Sequence, residues 1–211
     1  LVPHREPVAL QRWSVRRVVL ALSVVLGGVV AVAAVTSMFR PAHDIGVQAE
    51  PSCDRSSVMI LMAQSVPSAT ALPCVESLPA GWKLDGVRID EDGSTIWLDS
   101  DIAGDRAVAA TLRRPDECSV ADAVPVASDE VGIERYERPE RLPPELVSQR
   151  TYVFEGGCVE YLFRFSHDAN AALTVEIDDA LSFLPRSELI DEVEERSGLR
   201  LCGAGVPCPG S

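Results

Sequence analysis

Residues 18–39 form an apolar run without a charge, preceded by Arg12, Arg16 and Arg17 and followed by a chain that carries all six cysteines. At ~1.5 Å per residue this run makes a helix of about 33 Å, enough for the ~30 Å hydrocarbon core of a bilayer. The arginines sit on the leading side, with only Arg40 just beyond the run, which predicts a cytoplasmic leading tail and an outward-facing remainder. The expected organisation is a cytoplasmic tail (1–17), a transmembrane helix (18–39), a linker (40–52), an extracytoplasmic domain (53–199) and a Gly/Pro/Cys tail (200–211). The competing reading is a cleavable signal peptide with its small-x-small site at Ala31-Val32-Ala33. The apolar run continues past that site through Val35, Met38 and Phe39, so an anchor is expected. Both readings export the residues after the run.

The leading tail carries Arg5, Arg12, Arg16 and Arg17 against Glu6, so the overall net charge of −13 leaves −16 for the rest. An acidic field of this size keeps a domain soluble, disfavours nucleic acid and anionic lipid, and attracts cations or a basic partner. Lys83 is the only lysine and Asn170 the only asparagine, a residue usage resembling that of a GC-rich bacterial genome. The leading 17 residues are too few to fold, so any signal crossing a bilayer would have to run through a partner's helix. Within the run, Ser23, Gly27 and Ala31 recur every four residues, a spacing that permits close helix contact and homodimerisation in the membrane.

Cys53, Cys74, Cys118, Cys158, Cys202 and Cys208 form an even set on the outward side, where disulfides persist. Their neighbourhoods favour Cys53–Cys74 across a helical segment, Cys118–Cys158 between strand ends, and Cys202–Cys208 across the Gly203, Gly205, Pro207 turn. Zinc is disfavoured because no Cys-x-x-Cys knuckle exists and His4, His43 and His167 are dispersed.

The pattern predicts an α+β domain, with helices packed on an antiparallel sheet. Asp54 or Ser56 can cap a first helix presenting Val58, Leu61, Met62 and Ser65, and Pro67 ends it. Residues 66–80 hold three prolines and read as a loop tied back by Cys74. From Trp82 the period is two: a hairpin turning at Asp92-Gly93 places Val87 opposite Leu98, Ile89 opposite Ile96 and Arg88 opposite Trp97, with a bulge at Asp85-Gly86. Val108, Ala110 and Leu112 give a third strand. Residues 113–144 read as a long charged segment with at most one strand, at 133–138, and as the natural place for a partner surface.

A second hairpin with Gly156-Gly157 as its turn places Tyr152 opposite Tyr161 and Phe154 opposite Val159, with Phe163 and Phe165 continuing an aromatic core face. After a cap at Ser166 or Asp168, Leu173, Ile177, Leu181 and Leu184 recur at helical spacing, although residues 173–177 also alternate. A last helix starts at Pro185, carries Leu189, Ile190 and Val193 on one face with Glu192 four before Arg196, and stops at Gly198. The tail from Cys202 is expected to be ordered by its cysteines alone.

No chemical signature stands above its structural explanation. Residues 99–105 place Asp99, Ser100, Asp101 and Asp105 near a glycine turn, but Ala103 and Ala110 stand where a calcium loop needs oxygen ligands. His167-Asp168 is the only histidine–acid pair in the expected domain (53–199), and adjacency does not make a catalytic dyad. Glu137 and Glu140 cannot be given glycosidase roles, because those roles are set by spatial separation. No catalytic, cofactor or metal residue is therefore assigned. The expected function is a membrane-anchored binding, accessory or scaffold component of the bacterial cell envelope, with an envelope protein partner. The alternative is an envelope hydrolase using His167 with loop carboxylates.

Overall fold

The computed structural model describes residues 51–53, 56–142, 145–166 and 171–207. The transmembrane and signal-peptide readings, the Ser23, Gly27, Ala31 spacing, Asp54, His167-Asp168 and Cys208 lie outside these residues. Among the described residues no helix is long and apolar enough to cross a membrane.

The elements run in the order α1 (Ser57–Ser65), β1 (Ala71–Val75), β2 (Trp82–Asp90), β3 (Gly93–Ser100), β4 (Gly104–Arg113), a 3-10 turn (Pro115–Glu117), β5 (Val124–Val126), β6 (Glu134–Arg141), β7 (Val147–Phe154), β8 (Gly157–Arg164), α2 (Ala172–Asp178), β9 (Leu181–Pro185) and α3 (Arg186–Ser197). Seven strands form one antiparallel sheet in the order β2-β3-β4-β8-β7-β6-β5, while β1 and β9 form a separate antiparallel ribbon. The α+β class and the antiparallel sheet are as the periodicity predicts.

Alternation gives the large sheet a buried face of Val87, Ile96, Leu98, Val108, Ala110, Leu112, Val159, Tyr161 and Phe163. Helix α1 packs against β2 and β3, and the ribbon against β4 and β8. Phe183 of β9 is the main joint: its ring lies 5.1 Å from Tyr152, 6.1 Å from Phe154 and 6.4 Å from Tyr161. Such pairs contribute ~0.5–1.5 kcal/mol each beyond their burial.

The strand faces follow from sequence parity, but the registers do not. In the first hairpin Val87 pairs with Ile96 and Arg88 with Thr95, and in the second Tyr152 pairs with Val159 and Phe154 with Gly157. Both are displaced by two residues from expectation, because the two-residue loops are Glu91-Asp92 and Glu155-Gly156, leaving Gly93 and Gly157 as the first strand residues. A two-residue slip preserves parity, so the core faces survive it. The bulge at Asp85 is where the parity of Trp82 and Leu84 places it.

Four further expectations are corrected. The loop 66–80 contains β1, whose five residues are all buried, because Leu181–Pro185 supplies a ribbon partner over a hundred positions away. The helix around Leu173 ends at Asp178, and Leu181 and Leu184 belong to β9, where both are buried. Its first turn is preceded by Ala171, not by Ser166 or Asp168. The buried face of α1 holds Val58, Met59, Met62, Ala63 and Ser65, while Leu61 is 42% exposed, since both β1 and the sheet press on the Met59 side.

Residues 113–144 hold two strands, β5 and β6, not one. Their topology is the least local feature of the fold. From β4 the chain crosses β8, β7 and β6 to reach the far edge at β5, then returns strand by strand. Pro125 at the centre of β5 cannot donate to a ladder, which suits a strand paired on one side only.

The last helix matches its punctuation: Pro185 precedes it, Gly198 closes it in the left-handed conformation (φ 65°), and Glu192 pairs with Arg196. The tail is ordered by more than cysteines. Arg186, 1% exposed, donates from Nη1 to the Ala63 carbonyl at 2.7 Å and from Nη2 to the Cys202 carbonyl at 2.6 Å, tying α1 and the tail to α3.

Candidate functional site

Two groups of side chains concentrate polar chemistry on the large sheet, one on each face. On the core side, under α2, Arg135 and Glu137 of β6, Arg150 and Tyr152 of β7 and Asp178 of α2 come together. Glu137 accepts from Arg135 and from Arg150 Nε (3.0 Å), Asp178 pairs with Arg150 and lies 3.8 Å from Arg135, and the Tyr152 hydroxyl donates to Asp178 at 3.2 Å. Two cations meet two carboxylates, so the cluster is neutral.

Burial pushes the Glu137 carboxyl up, but the hydrogen bonds and charges of Arg135 and Arg150 outweigh it and hold the group below its usual range. Burial and then the Asp178 charge push the Tyr152 phenol up to about 12, and burial drives Tyr161 well above its ordinary value. An acid held ionised and phenols held protonated make poor proton-transfer groups near neutrality. The arrangement braces α2 against β6 and β7. Sequence reading missed it because Arg135 and Glu137 alternate as a solvent-facing strand would, and Asp178 is distant in the chain.

Among the described residues no helix packs on the opposite face. Pairing aligns Arg88, Thr95, Thr111, Glu160, Thr151, Tyr136 and Pro125 in one row across all seven strands. The neighbouring row is Gly86, Trp97, Ala109, Leu162, Gln149 and Arg138. Thr95 and Thr111 share a 3.2 Å hydrogen bond, and Gln149 Nε2 donates to Glu160 at 2.7 Å. Trp97 sits between Gly86, which has open space beside it, and Ala109, so its half-buried indole stands above its neighbours.

Arg106 lies over that indole, with Cζ 4.8 Å from the ring centroid. It occupies a bulge in which Asp105, Arg106 and Ala107 oppose Asp99 alone, and it adopts φ 47°, a conformation that L side chains other than Asn and Asp seldom take. Three contacts hold it there: its N–H donates to Asp99 Oδ1 at 2.9 Å, its Nε donates to Asp85 Oδ2 at 2.8 Å, and its guanidinium rests on Trp97. Four arginines of this face are paired: Arg106 with Asp85, Arg88 with Asp90 at 3.1 Å, Arg113 with Glu160 at 3.9 Å, and Arg138 with Glu140 at 3.1 Å. The result is a platform of paired charges and polar side chains, able to hydrogen-bond and to stack.

The residues weighed from sequence serve as supports of these groups and of the connections beside them. Asp99 and Ser100 organise the β3–β4 connection: Ser100 Oγ accepts from the Ile102 and Ala103 N–H groups at 3.3 and 3.1 Å, and Asp99 pairs with Lys83. Among the described residues no group of three or more potential ligands is placed to hold a metal ion. Glu137 belongs to the brace, and Glu140 pairs with Arg138 on the other face.

Cys53 is bonded to Cys74 (Cα–Cα 5.0 Å) and Cys118 to Cys158 (5.9 Å); Cys202 is also disulfide-bonded. Clefts among the described residues include one of about 290 Å³ between α1 and α3 beside Ile60 and Leu199, one of 160 Å³ beside Pro51 and Leu78, and one of 140 Å³ lined by Glu137 and Arg150 of the brace together with Thr174. No family model matches the chain, and no curated protein or solved structure matches it either.

Proposed function

We propose that this chain is a membrane-anchored, extracytoplasmic binding or scaffold component of the cell envelope, acting by association through the uncovered face of its seven-stranded sheet. The observation that carries the reading is the Trp97–Arg106 platform. A half-buried indole flanked by small residues, under an arginine held in a costly backbone conformation, stands on a face that no helix among the described residues covers. Strain of this kind persists where surrounding contacts over-determine it, and Trp and Arg are the residues that most often dominate association surfaces. The flanking Thr, Gln and Tyr side chains supply hydrogen-bonding capacity without net charge.

Site-specific photocrosslinking in intact cells tests this. A photoreactive residue at Thr95 or Thr111 should yield a reproducible adduct, lost on Trp97→Ala, while one at Glu176 on α2 should not. Equal adducts from both positions, or none from the sheet face, would remove the proposal. The anchor is tested separately, by protease protection of sealed spheroplasts.

A further inference from the structure

The two disulfides joined within the described residues do different mechanical work. Cys74 is fully buried in β1, and its bond to Cys53 lies beside a main-chain bridge, with Val75 N donating to the Pro51 carbonyl at 2.8 Å and Cys53 N to the Val75 carbonyl at 3.2 Å. Cys158 is also buried, but on the side of β8 opposite Val159 and Tyr161. Its partner Cys118 is half-buried and belongs to the crossover from β4 to β5. The bond therefore pins a long non-local connection to the sheet face opposite the core.

Little else does so. Before Cys118, Arg114 pairs with Asp92 at 3.0 Å. Beyond it, the main-chain hydrogen bonds outside the β5–β6 ladder are local: Ala123 N to the Val120 carbonyl and Ile133 N to the Glu130 carbonyl. Strand β5 pairs through three residues at the sheet edge, Val124 is 62% exposed and Val131 fully exposed, and Ile133 is the one residue of 119–133 packed against the core. A segment with this few buried contacts lies at the low-stability end of a fold.

We propose that Cys118–Cys158 is a redox latch, opened by a dithiol reductant without unfolding the domain. A thiolate of the reductant attacks Cys118 Sγ, the more accessible sulfur, and displaces Cys158 as thiolate. The second thiol of the reductant then attacks its own sulfur in the mixed disulfide and releases Cys118. Two protein thiols form, the dithiol becomes a disulfide, and the two electrons are accounted for. The crossover then leaves β8, while the sheet keeps its core. The latch operates whether or not the uncovered face binds a partner.

The test uses the oxidised 211-residue chain and dithiothreitol under native conditions, with alkylation and peptide mapping of the released thiols. Cys118 and Cys158 should become labelled at least about tenfold faster than Cys53 and Cys74. Hydrogen exchange should accelerate over residues 115–133 and leave β3, β4 and β8 protected. The double variant Cys118→Ser, Cys158→Ser should fold and show the same local acceleration without reductant. Equal or earlier opening of Cys53–Cys74, loss of protection across the sheet, or failure of the double variant to fold would each overturn the latch.

Discussion

Arg186 Nη1 donates to the carbonyl of Ala63 at 2.7 Å, so a buried guanidinium on α3 terminates α1 through space. The last carbonyls of a helix lack intrahelical donors, and the negative end of its dipole favours a cation there. Burial lowers the Arg186 pKa, and its partners are carbonyls. Arg186→Met should therefore lower stability by about 2 kcal/mol, because two buried carbonyls lose charged donors while the cost of burying the charge is relieved. A melting temperature within a degree of wild type would refute this.

Gly156 holds the β7–β8 turn against the segment after α1. Its φ is +80°, and a Cβ there would sit 1.7 Å from the Ser68 carbonyl oxygen, a main-chain atom that is itself fixed by the Thr70 contacts to Glu155. Gly156→Ala should cost about 3 kcal/mol or more, whereas Gly132→Ala, also at positive φ but in open space, should cost only ~1 kcal/mol. Denaturant titration of the pair separates close approach from backbone strain.

The helix face of α1 gives a simple contrast. Met62 is fully buried and Leu61 is 42% exposed. Met62→Ala should cost about 2–5 kcal/mol and Leu61→Ala about 0.5 kcal/mol or less, measured by chemical unfolding. Comparable losses would mean that α1 turns its other side inward.

Alkaline pH should unfold the domain through its phenols. An unfolded tyrosine releases its proton near 10, whereas Tyr152 retains its own up to about 12. Across that interval the unfolded state binds fewer protons, so the stability contributed is intact below 10 and lost as pH rises toward 12. Phenolate absorbance should lag that of free tyrosine, and Tyr152→Phe should flatten the fall in melting temperature.

Acid acts through Glu137 in the opposite sense. Its folded pKa is depressed below 4.5, so its contribution is present above the unfolded value and disappears as pH falls through the folded one. Glu137→Gln should be less stable than wild type at neutral pH and lose less on acidification. An unchanged acid slope would show that Arg135 and Arg150 do not hold the carboxylate ionised.

The features legible in the chain before folding are local. Alternation along 87–89, 96–98, 108–112 and 152–163 assigned the inward face of five strands, since parity survives even a slipped register. Pro185, Gly198 and the Glu192, Arg196 spacing marked the last helix, because caps and i, i+4 pairs act within a turn. Tertiary structure decided the rest. Pro73 and its neighbours become a strand only because β9 comes alongside, and Arg135 and Glu137 become a buried brace only because Asp178 is brought over them. The β4-to-β5 crossover could not be read either, since neither β5 nor its distance from β4 has a local signal. These features depend on which distant segments share a core, and that is settled by the free energy of packing the whole chain, not by the period of any part of it.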